Sequence, residues 1–205
     1  MLRFKGIMNC RLIGNSIVLG LVLLLTACQG EQPWRTSNIT GAMPNLSFSL
    51  IDANHNKPVT AEEYQGKVVM LFFGFTHCPD VCPTTLLQLQ KALSMMGEQA
   101  KQVQVLFVTV DPERDGQQAL KHYTENFGSQ VIGLYGDVEQ LEKLAKTYGV
   151  SHERQQADTG DNYDISHGSV VYVFDYTGAI RLLVRGNDPV EAIASDLKRL
   201  VAEQN

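Results

Sequence analysis

The chain has 205 residues, 44% of them hydrophobic and 19% charged, which is enough for one domain with a full core. No stretch has the composition of collagen, a repeat array or a low-complexity tract. The formal net charge of −5 argues against nucleic acid as a partner, because phosphate binding calls for a basic surface.

The first residues differ from the rest. Arg3, Lys5 and Arg11 precede a charge-free apolar stretch from Leu12 to Leu25. A basic start, a short apolar core and small residues at its end describe an export signal. The apolar run is shorter than the ~20 residues a spanning helix needs. It ends in Leu25-Thr26-Ala27-Cys28, which resembles the bacterial lipobox, where the cysteine is lipidated and heads the mature chain. Residues 1–27 are then the signal and Cys28 is the lipid attachment site. The protein is then anchored at the periplasmic face of a bacterial membrane, with inner and outer membrane both open. Cleavage leaves 14 basic against 22 acidic residues, a net charge of −8.

Residues 28–41 are polar, lack periodicity and are expected to be a tether to a domain over 42–205. Leu46, Phe48 and Leu50 alternate with serines, the pattern of a half-buried strand. The turn residues 52–56 make this the first arm of a hairpin leading to Pro58-Val59. The run from Lys67 to Gly74 is continuously apolar and predicts a central strand buried on both faces. Leu86, Leu89, Leu93 and Met96 share one stripe of a helix, and Pro83 predicts that this helix begins near Thr84. A second buried strand spans 103–110. The turn 111–115 leads into a helix reaching Phe127, then a strand at 131–135 and a helix from Val138 to Tyr148. Residues 151–166 are polar without a helical period and are expected to be an insert. A hairpin over 169–175 and 179–184 and a helix around 190–201 close the chain.

Strands alternating with helices predict an α/β sheet. A late antiparallel hairpin followed by a terminal helix makes it thioredoxin-like, with an N-terminal β-hairpin extension and the polar insert before the last hairpin. In such sheets ligands bind at the carboxyl ends of strands. Cys78 and Cys82 lie there, between the 67–74 strand and the following helix. Once Cys10 is cleaved away and Cys28 is lipidated, they are the domain's two remaining thiols. Two cysteines this close make a redox pair or a metal site rather than a disulfide scaffold. Thiolates at a helix start favour a soft ion such as Cu(I) or Zn(II). His167 is the best third ligand, because it directly precedes the 169–175 strand. The alternative is a turn histidine bonding its own backbone. His55 sits in a surface hairpin, His122 lies on a helix without an acidic or cysteine neighbour at ligand spacing, His152 lies in the insert, and His77 adjoins Cys78 as a modulator.

Three segments carry a family resemblance. Gly74-Phe-Thr-His-Cys-Pro-Asp-Val-Cys-Pro83, Val108-Thr-Val-Asp-Pro-Glu-Arg-Asp115 and Asp164-Ile-Ser-His-Gly-Ser169 resemble the Sco/SenC copper chaperones of cytochrome c oxidase assembly. The resemblance covers about residues 40–203. It implies that Cys78, Cys82 and His167 bind one copper ion, Cu(I) or Cu(II). It implies a metallochaperone rather than an enzyme, which delivers copper to the CuA site of an oxidase subunit or reduces that site's cysteines. A copper donor chaperone is the implied upstream partner. Asp80 and Asp111 match family positions and would act indirectly.

The main alternative is a thiol–disulfide reductase using the same two cysteines. Such proteins usually carry Cys-x-x-Cys and a cis-proline facing it, where this chain has Ser166-His167-Gly168. A peroxiredoxin would place threonine three residues before its cysteine, where Phe75 stands. Three protein ligands leave an open position, unlike closed structural zinc.

Overall fold

The computed structural model describes residues 32–156, 163–167 and 169–204, with the backbone alone described for 152–156 and 163–167. In chain order the strands and helices are β1 (Ser37–Asn38), β2 (Ser49–Asp52), β3 (Lys57–Thr60), β4 (Val68–Gly74), α1 (Val81–Ser94), β5 (Val103–Thr109), α2 (Gln117–Glu125), β6 (Val131–Tyr135), α3 (Val138–Thr147), β7 (His152–Gln156), β8 (Tyr163–His167), β9 (Val171–Phe174), β10 (Ile180–Val184) and α4 (Val190–Ala202). Eight strands form one sheet in the order β1-β10-β9-β4-β5-β6-β2-β3. The centre β4-β5-β6 is parallel, and both flanks are antiparallel.

This is the thioredoxin-like plan, and packing explains its centre. Every residue of β4 and β5 is buried, because layers cover both faces of the sheet. Val68, Met70 and Phe72 point to a core shared with α1, α2 and α4. Val69, Leu71 and Phe73 point to a second core shared with α3 and the β2–β3 hairpin. The extension predicted at the N-terminus is this hairpin, which adds to the sheet through Ile51 and Asp52 against β6. Regular pairing begins at Ser49 rather than Leu46. The alternating burial nevertheless starts at Leu46, whose N–H donates to the carbonyl of Gly178 at 2.8 Å.

Two expectations need revision and one is refined. The tether was expected to run to residue 41, yet Ser37 and Asn38 pair with Leu183 and Leu182 of β10. A two-residue strand shows no alternation, so sequence pattern does not reveal it. Its anchor is a buried carboxylate: Asp196 of α4 accepts from the N–H of Arg35 (3.0 Å), the N–H of Thr36 (2.8 Å) and the Thr36 hydroxyl (2.8 Å). Trp34 stacks under the guanidinium of Arg199, 3.8 Å from its centroid. Asp196→Ala strands these three donors and should lower stability by about 3 kcal/mol. That loss would appear as a lower urea midpoint at unchanged slope.

The insert stands where it is expected, and its ends form a separate antiparallel ribbon of β7 and β8. Ladder bonds are made by backbone, so polar stretches such as His-Glu-Arg-Gln-Gln pair without a hydrophobic signature. The third is the start of α1, which lies at Val81 rather than near Thr84. Pro83 falls in the first helical turn, where the missing N–H would have had no intrahelical acceptor anyway.

Candidate metal centre

The cysteine loop leaves the sheet at Gly74, whose carbonyl accepts from the N–H of Val110 at 2.9 Å. The chain turns at once, with the N–H of Cys78 donating to the carbonyl of Phe75 at 3.2 Å. Asp80 stands at the N-cap of α1; its carbonyl accepts the Thr84 N–H at 3.1 Å and its carboxylate the Thr84 hydroxyl at 3.3 Å. Cys82 is thereby placed in the first helical turn. Its N–H, one of those left over at a helix start, donates to Sγ of Cys78 at 3.3 Å. The contact that brings the two cysteines together is therefore also what satisfies the end of the helix.

The two thiols are not joined in a disulfide and are unequal. Cys78 is half-buried and touches both cores, whereas Cys82 is fully buried. Burial pushes the Cys82 thiol far up; a backbone hydrogen bond with Phe75 opposes this, and Cys78 and Asp115 add to it. A thiol in this position gives up its proton to a cation that replaces it, or late in an exchange reaction. Two convergent sulfurs with a desolvated member suit a soft ion that deprotonates its ligands on binding.

A buried carboxylate in the turn that follows β5 braces the loop. Asp115 accepts from the Thr76 N–H (2.9 Å), the Thr76 hydroxyl (2.6 Å) and the Thr109 hydroxyl at the end of β5 (2.8 Å). Asp111, beside it, pairs with Arg114, whose guanidinium lies 5.7 Å from the Phe75 ring. The turn 111–115 therefore does more than lead into α2: it grips the cysteine loop. Asp115 and Thr76 carry no local signal of this in the sequence, because they stand 39 positions apart.

Of the histidines, His55 bonds Asp52 through Nδ1 at 2.7 Å in the β2–β3 turn. His122 is exposed on α2. The His77 ring, 55% exposed, places Nδ1 3.1 Å from the Thr76 hydroxyl and 3.8 Å from Asp115. It turns toward the brace. His167 ends β8, directly across the ladder from His152 of β7. Both side chains lie outside the described residues, as do Cys28 and the signal. Among the described residues no three His, Cys, Asp or Glu side chains gather around one point.

The comparisons with known proteins converge. The mitochondrial SCO2 homolog of Mus musculus is 30% identical over 191 residues, covering 90% of this chain and 74% of its own. A protein of Stutzerimonas stutzeri described as copper-binding is 37% identical over 145 residues, covering 70% and 69%. The structure of Bradyrhizobium japonicum ScoI with copper bound superposes with a TM-score of 0.69 at 35% identity, covering 76% of this chain and 98% of that one. The SCO1/SenC family model matches residues 38–202. With that match spanning the sheet, the cysteine loop and the terminal helix, the chain belongs to the SCO1/SenC family.

Proposed function

We propose that this chain is an extracytoplasmic copper chaperone. It holds one ion with Cys78, Cys82 and His167 and serves the CuA site of cytochrome c oxidase during assembly. The observation that carries the reading is the short contact between the Cys82 N–H and Cys78 Sγ, which converges two thiols on one point at a strand's carboxyl end. The copper-bound state of the Bradyrhizobium relative supports the choice of metal. Copper here is cargo, received from a donor chaperone and passed on. Lipidation of Cys28 would hold the domain on the periplasmic face of the membrane. Intact-mass measurement of the mature chain checks this, as a Cys28→Ser variant should lose the lipid mass and leave the membrane fraction.

Reduced protein titrated with Cu(II) should take up one ion and develop a sulfur-to-copper charge-transfer band. Cys78→Ala and Cys82→Ala should each abolish the band. His167→Ala should weaken Cu(II) far more than Cu(I), which is content with two thiolates. Unchanged affinity in a double cysteine variant would sink the reading.

A second reading rests on the unequal burial of the two sulfurs. The Cys78 thiolate attacks a disulfide of the oxidase subunit, forming a mixed disulfide and releasing one partner thiolate. Cys82 then attacks Cys78, forming the Cys78–Cys82 disulfide and releasing the second. Two electrons and the two thiol protons pass to the partner. Metal-free, reduced protein that converts an oxidised CuA-site subunit to its dithiol would favour this reading over delivery.

A further inference from the structure

The β7–β8 ribbon is rooted in the core that also receives the cysteine loop. Val150, just ahead of β7, belongs to the cluster against which both Cys78 and Val170, just after β8, are packed. β9 runs antiparallel to β4 with Val171 opposite Phe72. The chain immediately before β9 therefore runs toward the carboxyl end of β4, where the cysteine loop begins. At this root the first residue of β7 pairs with the last of β8: His152 stands opposite His167. Directly opposed residues of an antiparallel ladder share a face, with Cβ atoms about 4.5–5.5 Å apart. The backbone register alone thus sets a second histidine beside the proposed copper ligand.

The chemistry of the ion gives that neighbour a task. Cu(I) is content with few, soft ligands, whereas Cu(II) favours a tetragonal set with added nitrogen. Cys78, Cys82 and His167 supply three donors and leave one position open. Among the other histidines, His55 bonds Asp52 in the β2–β3 turn, His77 turns toward Thr76, and His122 is exposed on α2. We propose that His152 is the fourth ligand of the Cu(II) form, completing an S2N2 set with His167 and leaving Cu(I) to the other three residues. The inference rests on the copper reading above and deepens it. The cysteines hold the ion in either oxidation state, and the root of the ribbon discriminates between the two states.

The test loads wild-type, His152→Ala and Glu153→Ala protein with Cu(II) and, separately, with Cu(I). Glu153 is the next residue of β7, opposite Ser166, and so belongs to the other face of the ribbon. The paramagnetic resonance spectrum of Cu(II)-loaded wild type should show hyperfine splitting from two nitrogens, and that of His152→Ala from one. Cu(II) affinity of His152→Ala should fall by at least about tenfold, with Cu(I) affinity unchanged. Glu153→Ala should match wild type in both, and the metal-free proteins should melt alike. A single nitrogen in wild type, unaltered Cu(II) affinity in His152→Ala, an equal loss for both ions, or the same loss in Glu153→Ala would overturn this inference alone, provided that His167→Ala still weakens Cu(II). Wild-type protein that takes up no copper, or His167→Ala with wild-type Cu(II) affinity, would overturn the copper reading and this inference together.

Discussion

Gly74→Ala should cost the protein about 2–3 kcal/mol and most of its copper affinity. A Cβ at this position would lie 2.5 Å from Cε2 of Phe107, 2.9 Å from its Cζ and 2.8 Å from Sγ of Cys82. Phe107 has nowhere to go, because it is fully buried between Phe72, 5.8 Å away, and Tyr123. The overlap is therefore relieved by pushing Cys82 away from Cys78, and with it the first turn of α1. Misplacing a ligand sulfur should reduce Cu(I) affinity by at least tenfold. Gly186→Ala is the matched control, since its Cβ would meet open space and the change should stay within about 0.5 kcal/mol. Urea midpoints and copper titrations on the two variants read both effects. Wild-type values for Gly74→Ala would show that the loop yields more easily than its packing implies.

Asp115→Ala should be comparably severe for a different reason. It leaves the Thr76 N–H and the hydroxyls of Thr76 and Thr109 without their buried acceptor, a loss of about 3 kcal/mol. Thr76 is two residues before Cys78, so amide exchange across 76–82 should accelerate more than exchange in β4. Asp115→Asn separates charge from shape. Burial raises the Asp115 carboxyl, while its hydrogen bonds to Thr76 and Thr109 oppose the rise. The native chain then holds this proton more tightly than the unfolded chain does. As pH falls through the raised native value towards the ordinary carboxylate value, protons bind the native state first. The contribution of Asp115 to stability therefore grows on acidification and is smallest at neutral pH. Reduced, metal-free wild type should gain on Asp115→Asn between about pH 7 and about pH 4. A difference in urea midpoint that stays constant across that range would refute the assignment.

The sheet was legible in the sequence wherever burial is two-sided. The runs 67–74 and 103–110 are apolar at nearly every position, and the helix stripes over Leu86 to Leu93 and Ile193 to Leu200 point to the core that receives them. Elements held by backbone alone were not legible. β1 has two residues, β7 is polar throughout, and the alternation in β8 is confined to Tyr163 and Ile165. Pro83 hides the start of α1, because proline disfavours helix in the residue before it yet is itself tolerated in a first turn. At the site, Cys78 and Cys82 stood out by count and spacing. Their support did not, because Asp115 grips Thr76 across 39 positions.

The clamp on Thr36 bears on mechanics as well as folding. Any tension in the chain ahead of Trp34 enters the domain at β1, where Asp196 and the Arg199–Trp34 stack take it up. β10 and β9 separate that point from β4, a distance of about 14 Å at ordinary strand spacing. The load is therefore borne at one edge of the sheet and by α4. The strand that carries the cysteine loop lies three strands inward and takes no direct share of that load.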